Sequence, residues 1–337
     1  MKNIVTSIFS NPQYGKSNHR SLEIFYLKQL FDELNVPLSI VGNKNRTNKD
    51  VEFFKDVENI DDNVQNVFIQ LSPANFFGGV VSDFQIAIIS KLANLHDRNF
   101  YVLVNDPRIK HVNPAKIIND RWQIFTDECI AKWDIIIEKS KYLYGGNDIN
   151  KFFGSNNLDF IKFDLFTYIF KNNLQIQDFN ENNKTYDLVY FGDKRGSYRE
   201  SKIKKYFSSN SSKNLLIGYK TKSVKSSYID KVNHENLLEE LNNCKTSLII
   251  GDEEHENNIV TYRLYETLAS NCIAAIDYKY DFSKSIIQND FLKSILYVTS
   301  NYDIQQLNKN YSKEIIDAQK NELHRIFNNI KIDLNFL

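Results

Sequence analysis

Short apolar runs alternate along this chain with longer stretches whose apolar residues recur every three or four positions. The first pattern marks a buried strand and the second marks one face of a helix. Asn3 to Phe9 opens the series as a strand. A polar loop, Ser10 to Asn18, leads to a helix from about Arg20 to Leu34, which Asn35-Val36-Pro37 ends. Further strands are expected at Leu38 to Val41, Asn66 to Leu71, Phe100 to Val104 and Trp133 to Ile137, with a helix from about Asp83 to Leu95. From Lys139 to Phe170 the pattern is mixed, and Lys171 to Thr185 is polar and reads as a linker. The alternation then restarts. Strands are expected at Tyr186 to Phe191, Asn214 to Gly218 and Ile295 to Thr299, helices at Glu200 to Phe207 and His234 to Asn242, and a long helical stretch from Asp303 to Ile330.

The best-defined unit is Ser247 to Asp281. An apolar strand, Ser247 to Ile250, stops at Gly251-Asp252, and an acidic, amide-rich loop follows. A helical pattern from about Asn258 to Ser270 carries Ile259, Tyr262, Tyr265, Leu268 and Ala269 at spacings of three and four. Cys272 to Ile276 is the next strand. This is a β-α-β unit whose loop lies at the carboxyl end of a strand, where open α/β sheets bind ligands.

The length, 337 residues, leads us to expect two domains. Hydrophobic residues make up 42% and charged residues 25%, as in an ordinary soluble protein. Lys+Arg and Asp+Glu both total 42, so the net charge is zero and bulk charge gives no support for nucleic-acid binding. Cys129, Cys244 and Cys272 form no metal-ligand or redox spacing, which points to a reducing compartment, with Cys244 and Cys272 filling core space. No membrane span or secretory signal is visible.

Four stretches carry candidate chemistry. Arg263 and Glu266 are three apart and share a helix face. They suit either an intrahelical ion pair or, near a helix start, a phosphate contact and a ribose contact. Gly192-Asp193-Lys194-Arg195-Gly196-Ser197-Tyr198-Arg199 joins a strand to a helix, a geometry that cradles phosphate. The alternative is a solvated basic helix start. Asp106 stands just past a buried strand and before Pro107, as a general base or a turn-forming Asp. Phe76 and Phe77 precede a glycine pair and are either a core plug or a contact. Two successive α/β domains, one offering an Asp and the other arginines and a Glu, meet the needs of a nucleotide-sugar glycosyltransferase.

At these residues the chain resembles the T-even bacteriophage DNA β-glucosyltransferase family, glycosyltransferases of the GT-B architecture. The resemblance is carried by NFFGG (Asn75 to Gly79), by Asp106-Pro107-Arg108, by DLVYFGDKRGSYRESK (Asp187 to Lys202), and by SLIIGD…NNIVTYRLYETLAS…IDYKYD. Together these span about two-thirds of the chain. It implies two facing Rossmann-like domains with a deep interdomain cleft and a C-terminal helix crossing back to the first. The expected boundaries are 1–168, with 318–337 packing back, for acceptor DNA, and 169–317 for the UDP-sugar.

The activity implied is inverting transfer of a sugar, glucose first, from UDP-glucose to 5-hydroxymethylcytosine in duplex phage DNA. It would be carried out by a monomer in the cytoplasm of the infected bacterial host. Asp106 would be the base, and Glu23 would lie at or beside an acidic sugar-contacting position. Gly192, Arg195, Arg199, Val232, Asp252, His255, Arg263 and Glu266 would form the donor site. Asn75, Phe76, Phe77 and Arg108 would belong to the acceptor half, where an aromatic fills the gap left by a flipped base. A divalent cation, Mg or Mn, would sit near Asn75 and Asp106. The chain departs from the family on the donor side. His255 replaces a Tyr, Phe166 stands where an acidic residue is expected with Asp164 close by, and Asp193 replaces a small hydroxyl residue. Another sugar, 5-hydroxymethyluracil, a non-DNA acceptor and a non-catalytic binding protein are the alternatives.

Overall fold

The computed structural model describes residues 3–7, 22–42, 54–55, 60, 63–70, 83–95, 97–104, 127–145, 160–180, 184–192, 196–209, 213–230, 232, 234–251, 260–332 and 334–337. The chain divides into two units, Met1–Ile169 with Ile330–Leu337, and Phe170–Asn329.

In the first unit the elements run β1 (Asn3–Ser7), α1 (Leu22–Glu33), β2 (Ser39–Val41), β3 (Phe54–Lys55), β4 (Asn66–Gln70), α2 (Asp83–Ala93), β5 (Asn99–Val104), α3 (Asp127–Glu138), β6 (Ser140–Tyr144), β7 (Phe160–Lys162) and α4 (Leu165–Asn173). The seven strands form one parallel sheet in the order β3-β2-β1-β4-β5-β6-β7. Successive side chains of a strand point to opposite faces, and both faces here are covered. Ile4, Ile69 and Val102 pack with Ile88, Ile89 and Leu92 of α2 and Ile136 of α3. Val5, Phe68 and Leu103 pack with Ile24, Leu27 and Phe31 of α1 and Leu165 and Ile169 of α4.

Helix α1 ends as its sequence suggests. Asn35 is left-handed (φ 56°), its N–H bonds the Asp32 carbonyl at 3.0 Å, and the Val36 N–H bonds the Phe31 carbonyl at 2.8 Å. Trp133 to Ile137, expected as a strand, lies inside α3. A buried central strand would hide its whole β-branched run, yet Ile135 is exposed while Ile136 is fully buried. Helical burial overrode strand propensity, and the strand is the next segment, β6.

The second unit repeats the plan with β8 (Tyr186–Phe191), α5 (Gly196–Tyr206), β9 (Asn214–Ile217), β10 (Ser227–Ile229), α6 (His234–Asn242), β11 (Cys244–Ile249), α7 (Tyr262–Ala269), β12 (Ile273–Asp277), α8 (Asp290–Ile295), β13 (Tyr297–Val298), α9 (Asn301–Lys309) and α10 (Lys313–Asn328). Its parallel sheet has the order β10-β9-β8-β11-β12-β13. The order in which strands are added reverses once in each sheet, between β1 and β4 and between β8 and β11. At such a point the loops after the two central strands diverge and leave a crevice at the carboxyl edge. Cys244 and Cys272 are fully buried, as expected, and burial pushes both thiols up.

The final helix α10 packs on the second unit against α7 and β12. The return to the first unit is made by residues 330–337. Phe163 and Ile332 form an antiparallel bridge, and Ile332, Leu334 and Phe336 alternate onto the α1 face of the first core.

Candidate functional site

The switch point of the second sheet is built by the ends of β8, β9 and β11. Strand β8 ends at Phe191, and Gly192 turns the chain with φ +119°, a conformation that favours glycine. A Cβ there would stand 3.0 Å from Nε and 3.2 Å from Nη2 of Arg263. The absence of a side chain therefore admits the guanidinium. Arg263 lies in the first turn of α7. Its Nη1 donates to the carbonyl of Ile250, just past β11, at 2.7 Å. Its planar head lies over the ring of Tyr190, 5.1 Å from the centroid. Two strand ends thus grip one arginine at the sheet's switch point.

Helix α7 is fixed in turn by Tyr280. The Tyr280 hydroxyl accepts from the Thr261 N–H at 2.7 Å and contacts Thr261 Oγ1 at 3.1 Å, satisfying a helix-start donor. Glu266 lies one turn beyond Arg263 and is 6% exposed. A solvated surface pair would leave both partners in water. The burial of Glu266 and the Arg263 bond to Ile250 count against a pair solvated on the surface.

Helix α5 begins at Gly196 itself, earlier than the periodicity suggests. Its Arg199 is 3% exposed and faces inward with Ile203 and Tyr206. A buried guanidinium needs anionic or carbonyl company, so this is not a solvated basic helix start. The helix is anchored by Asp277 at the end of β12. Lys202 Nζ reaches both Asp277 oxygens at 3.0 Å, and the Tyr206 hydroxyl donates to Oδ2 at 2.6 Å. Burial, together with this carboxylate, pushes the Tyr206 hydroxyl far up. Glu200 ties the same helix to the segment after β9 by accepting from Ser223 Oγ at 2.8 Å and Thr221 Oγ1 at 3.3 Å.

In the first unit, Glu23 opens α1 beside the switch point of that sheet. It is buried, and its Oε2 accepts from Nε2 of Gln70, the last residue of β4, at 2.5 Å. Asp164 is not a free acid. Its Oδ1 accepts from the Thr167 N–H at 3.1 Å and caps α4, and burial raises its carboxyl. At the opposite edge three asparagines form a ladder. Asn99 donates to Asn66 (2.9 Å), Asn66 to Asn3 (2.8 Å), and Asn3 to the Pro37 carbonyl (2.8 Å), which gives the buried Asn3 and Asn66 amides partners.

The structure therefore brings Gly192 and Arg263 together, with Tyr190 as the platform. Arg199 and Glu266 are buried on the two helices that follow β8 and β11. Val232 is half-buried beyond β10 and makes none of these contacts. Asn75, Phe76, Phe77, Asp106, Arg108, Arg195, Asp252 and His255 lie outside the described residues. Among the described residues no group of three or more His, Cys, Asp or Glu side chains is placed to hold a metal. Sequence reasoning missed Tyr190 and Asp277. An aromatic at the end of an apolar strand and an Asp at a strand terminus look the same whether they pack, anchor or bind.

No family model matches the chain. It is 26% identical over 289 residues, 80% of its length and 79% of the relative's, to the DNA beta-glucosyltransferase of Enterobacteria phage T4. Among solved structures, phage T4 β-glucosyltransferase with its UDP-glucose substrate superposes with a TM-score of 0.70 at 20% identity, over 97% of this chain and 96% of that one. The same enzyme with UDP and Mn2+ gives 0.68 at 22% identity, over 97% and 95%. An alpha-glucosyltransferase in complex with UDP-glucose and DNA gives 0.54 at 9% identity, over 98% and 95%. The α/β architecture of two Rossmann-like units is thus that of these GT-B enzymes. In sequence over four-fifths of its length, and in fold over nearly all of it, this chain resembles the DNA β-glucosyltransferases of the T-even phages.

Proposed function

We propose that the chain is an inverting glycosyltransferase that moves glucose from UDP-glucose to the hydroxymethyl group of 5-hydroxymethylcytosine in duplex DNA. The observation that carries this reading is the caged Arg263 at the switch point of the second sheet, with Glu266 buried one turn beyond it. A guanidinium held by its own neighbours meets a diphosphate in a fixed pose, so little freedom is lost on binding. In this reading Arg263, Arg199 and Arg195 neutralise the diphosphate, and Glu266 accepts from the ribose hydroxyls. Backbone groups near Val232 meet the uracil, and Gly192, Asp252 and His255 complete the donor site.

The reaction is a single displacement. The hydroxymethyl oxygen attacks the anomeric carbon, its proton passes to Asp106, and the bond from that carbon to the UDP oxygen breaks with its electron pair leaving on UDP. The arginines stabilise the charge developing there. Glu23, already buried and oriented by Gln70, contacts the sugar. Asn75, Phe76, Phe77 and Arg108 serve the acceptor, with an aromatic occupying the space of the flipped base. Inversion is supported by the higher TM-scores to the β-glucosyltransferase structures than to the α-glucosyltransferase structure. UDP-glucose is an α-glycoside, so one displacement gives a β-product. A divalent cation near Asn75 and Asp106 would be held by oxygen ligands of the kind Mg or Mn takes. Acting on phage DNA, the enzyme works inside the infected host cell.

Titrating UDP into the protein tests the donor half. Arg263→Ala is expected to weaken UDP by about 10- to 100-fold, the loss of charge-assisted hydrogen bonds. Unchanged affinity removes Arg263 from the site. Asp106→Ala is expected to abolish transfer and leave UDP affinity intact. Lost UDP binding would contradict the base role.

A further inference from the structure

Tyr219 has a buried hydroxyl that no described residue bonds. It follows Gly218, whose φ of +92° turns the chain at the end of β9 while its N–H is held by the Ile229 carbonyl at 3.0 Å. The ring meets Tyr190 edge to face, with centroids 5.9 Å apart at 78°. Tyr190 is the platform under Arg263, so Tyr219 forms the next layer of the same site. Tyr219 is 8% exposed, and among the described residues its buried hydroxyl has no hydrogen-bond partner.

An orphaned buried hydroxyl is costly and uncommon enough to need a reason. Burial pushes its ionisation well up, with further contributions from Tyr190 and Glu200 that Arg199 opposes. At neutral pH the group is therefore a protonated donor. Its surroundings name the acceptor it lacks. Arg199 and Arg263 select an anion, and a phosphate oxygen is an acceptor that also satisfies the guanidinium groups. A neutral donor adds a bond without adding like charge.

We propose that the Tyr219 hydroxyl donates a hydrogen bond to a phosphate oxygen of a nucleoside diphosphate bound between Arg199 and Arg263, making Tyr219 a donor-binding residue of this chain. The inference rests on the donor-site reading above. The hydroxyl exchanges no existing protein bond for the ligand bond, so the gain is that of a full bond to a charged acceptor.

The test compares UDP with uridine, the same nucleoside without phosphate, by titration calorimetry on the whole protein and on Tyr219→Phe. Binding of UDP to the unmodified protein is required first; its absence sinks the donor-site reading and this inference with it. Given that binding, Tyr219→Phe is expected to weaken UDP about tenfold or more. Uridine affinity is expected to stay unchanged, and the ligand-free melting temperature is expected to be no lower. Unchanged UDP affinity overturns the proposal and leaves the donor site standing. An equal loss for uridine assigns the hydroxyl to the nucleoside and also overturns it. A lower ligand-free melting temperature means that the hydroxyl is bonded within the protein, which likewise overturns the proposal.

Discussion

Arg263 is held by a carbonyl, an aromatic face and the empty side of a glycine. Each removes a degree of freedom that a surface arginine keeps. Gly192→Ala tests the tightest of the three. The new methyl would sit 3.0 Å from Arg263 Nε on a backbone with φ +119°. We expect a loss of about 1–3 kcal/mol in denaturant unfolding, together with weaker UDP binding because the guanidinium is displaced. A variant as stable as the parent, with the same UDP affinity, would show that the close approach has no role. At this scale the sequence was only half legible. Gly192 could be marked as a turn residue, but Arg263 and Glu266 three apart look the same in a surface pair and in a site. Burial counts against a pair solvated on the surface, and burial depends on strands far away in sequence.

At the scale of elements, α5 is positioned by an ion pair to a distant strand. Lys202 and Asp277 have side chains 11% and 4% exposed. Breaking a buried pair leaves one charge uncompensated, which typically costs about 3–5 kcal/mol. Asp277→Asn is expected to lose stability on that scale in urea unfolding. Lys202→Met with Asp277→Leu is expected to recover much of it, since an apolar pair carries no uncompensated charge; no recovery would mean that the pair is not the anchor. Helix α9 offers a pH test. Burial alone would raise the Asp303 carboxyl, but bonds from Thr299 N–H (2.7 Å), Thr299 Oγ1 (2.9 Å) and Ser300 N–H (3.0 Å) outweigh it and hold the group below its usual range. A depressed folded pKa stabilises above the unfolded value of about 4 and loses that contribution as pH falls through the folded value. Asp303→Asn should therefore flatten the acid limb of the stability profile below about pH 4; an unchanged limb would contradict the capping role. Strands with clean apolar runs, such as β8, were legible to the residue. Trp133 to Ile137 was not, because a β-branched run at a half-buried position fits either element.

For the whole molecule, the sequence suggested a polar linker from Lys171 to Thr185. Part of it is strapped to the second unit. Gln177 N–H bonds the Ala269 carbonyl at 3.0 Å, Lys184 Nζ bonds the Asn242 and Asn271 carbonyls, and Asn271 Nδ2 bonds the Asp178 carbonyl at 2.8 Å. Asn271 also accepts from Lys320 Nζ at 3.0 Å and from Tyr311 at 2.9 Å, which makes a nearly buried amide the hub of the strap. Polarity alone cannot distinguish a solvated linker from one whose polar groups bond to the protein. The chain's end likewise belongs to the first unit. Phe336 packs on Tyr101 (4.7 Å), Phe163 (6.2 Å) and Phe68 (6.4 Å), and its carbonyl accepts from the Tyr101 hydroxyl at 3.0 Å. Phe336→Ala should lower stability by about 2 kcal/mol; no change would mean that the return segment adds nothing. The two-sheet plan was legible because it repeats a simple alternation.

The central claim is sugar transfer to a modified base in DNA. Its most direct test incubates the protein with UDP-glucose and duplex DNA containing 5-hydroxymethylcytosine, then digests to nucleosides and weighs them. A new nucleoside heavier by one hexose residue is expected, formed only from the modified base, and its anomeric proton coupling in NMR is expected to show a β linkage. Transfer of another sugar, or to 5-hydroxymethyluracil, would redirect the substrate assignment. No mass gain with any UDP-sugar on either modified base would contradict sugar transfer to DNA.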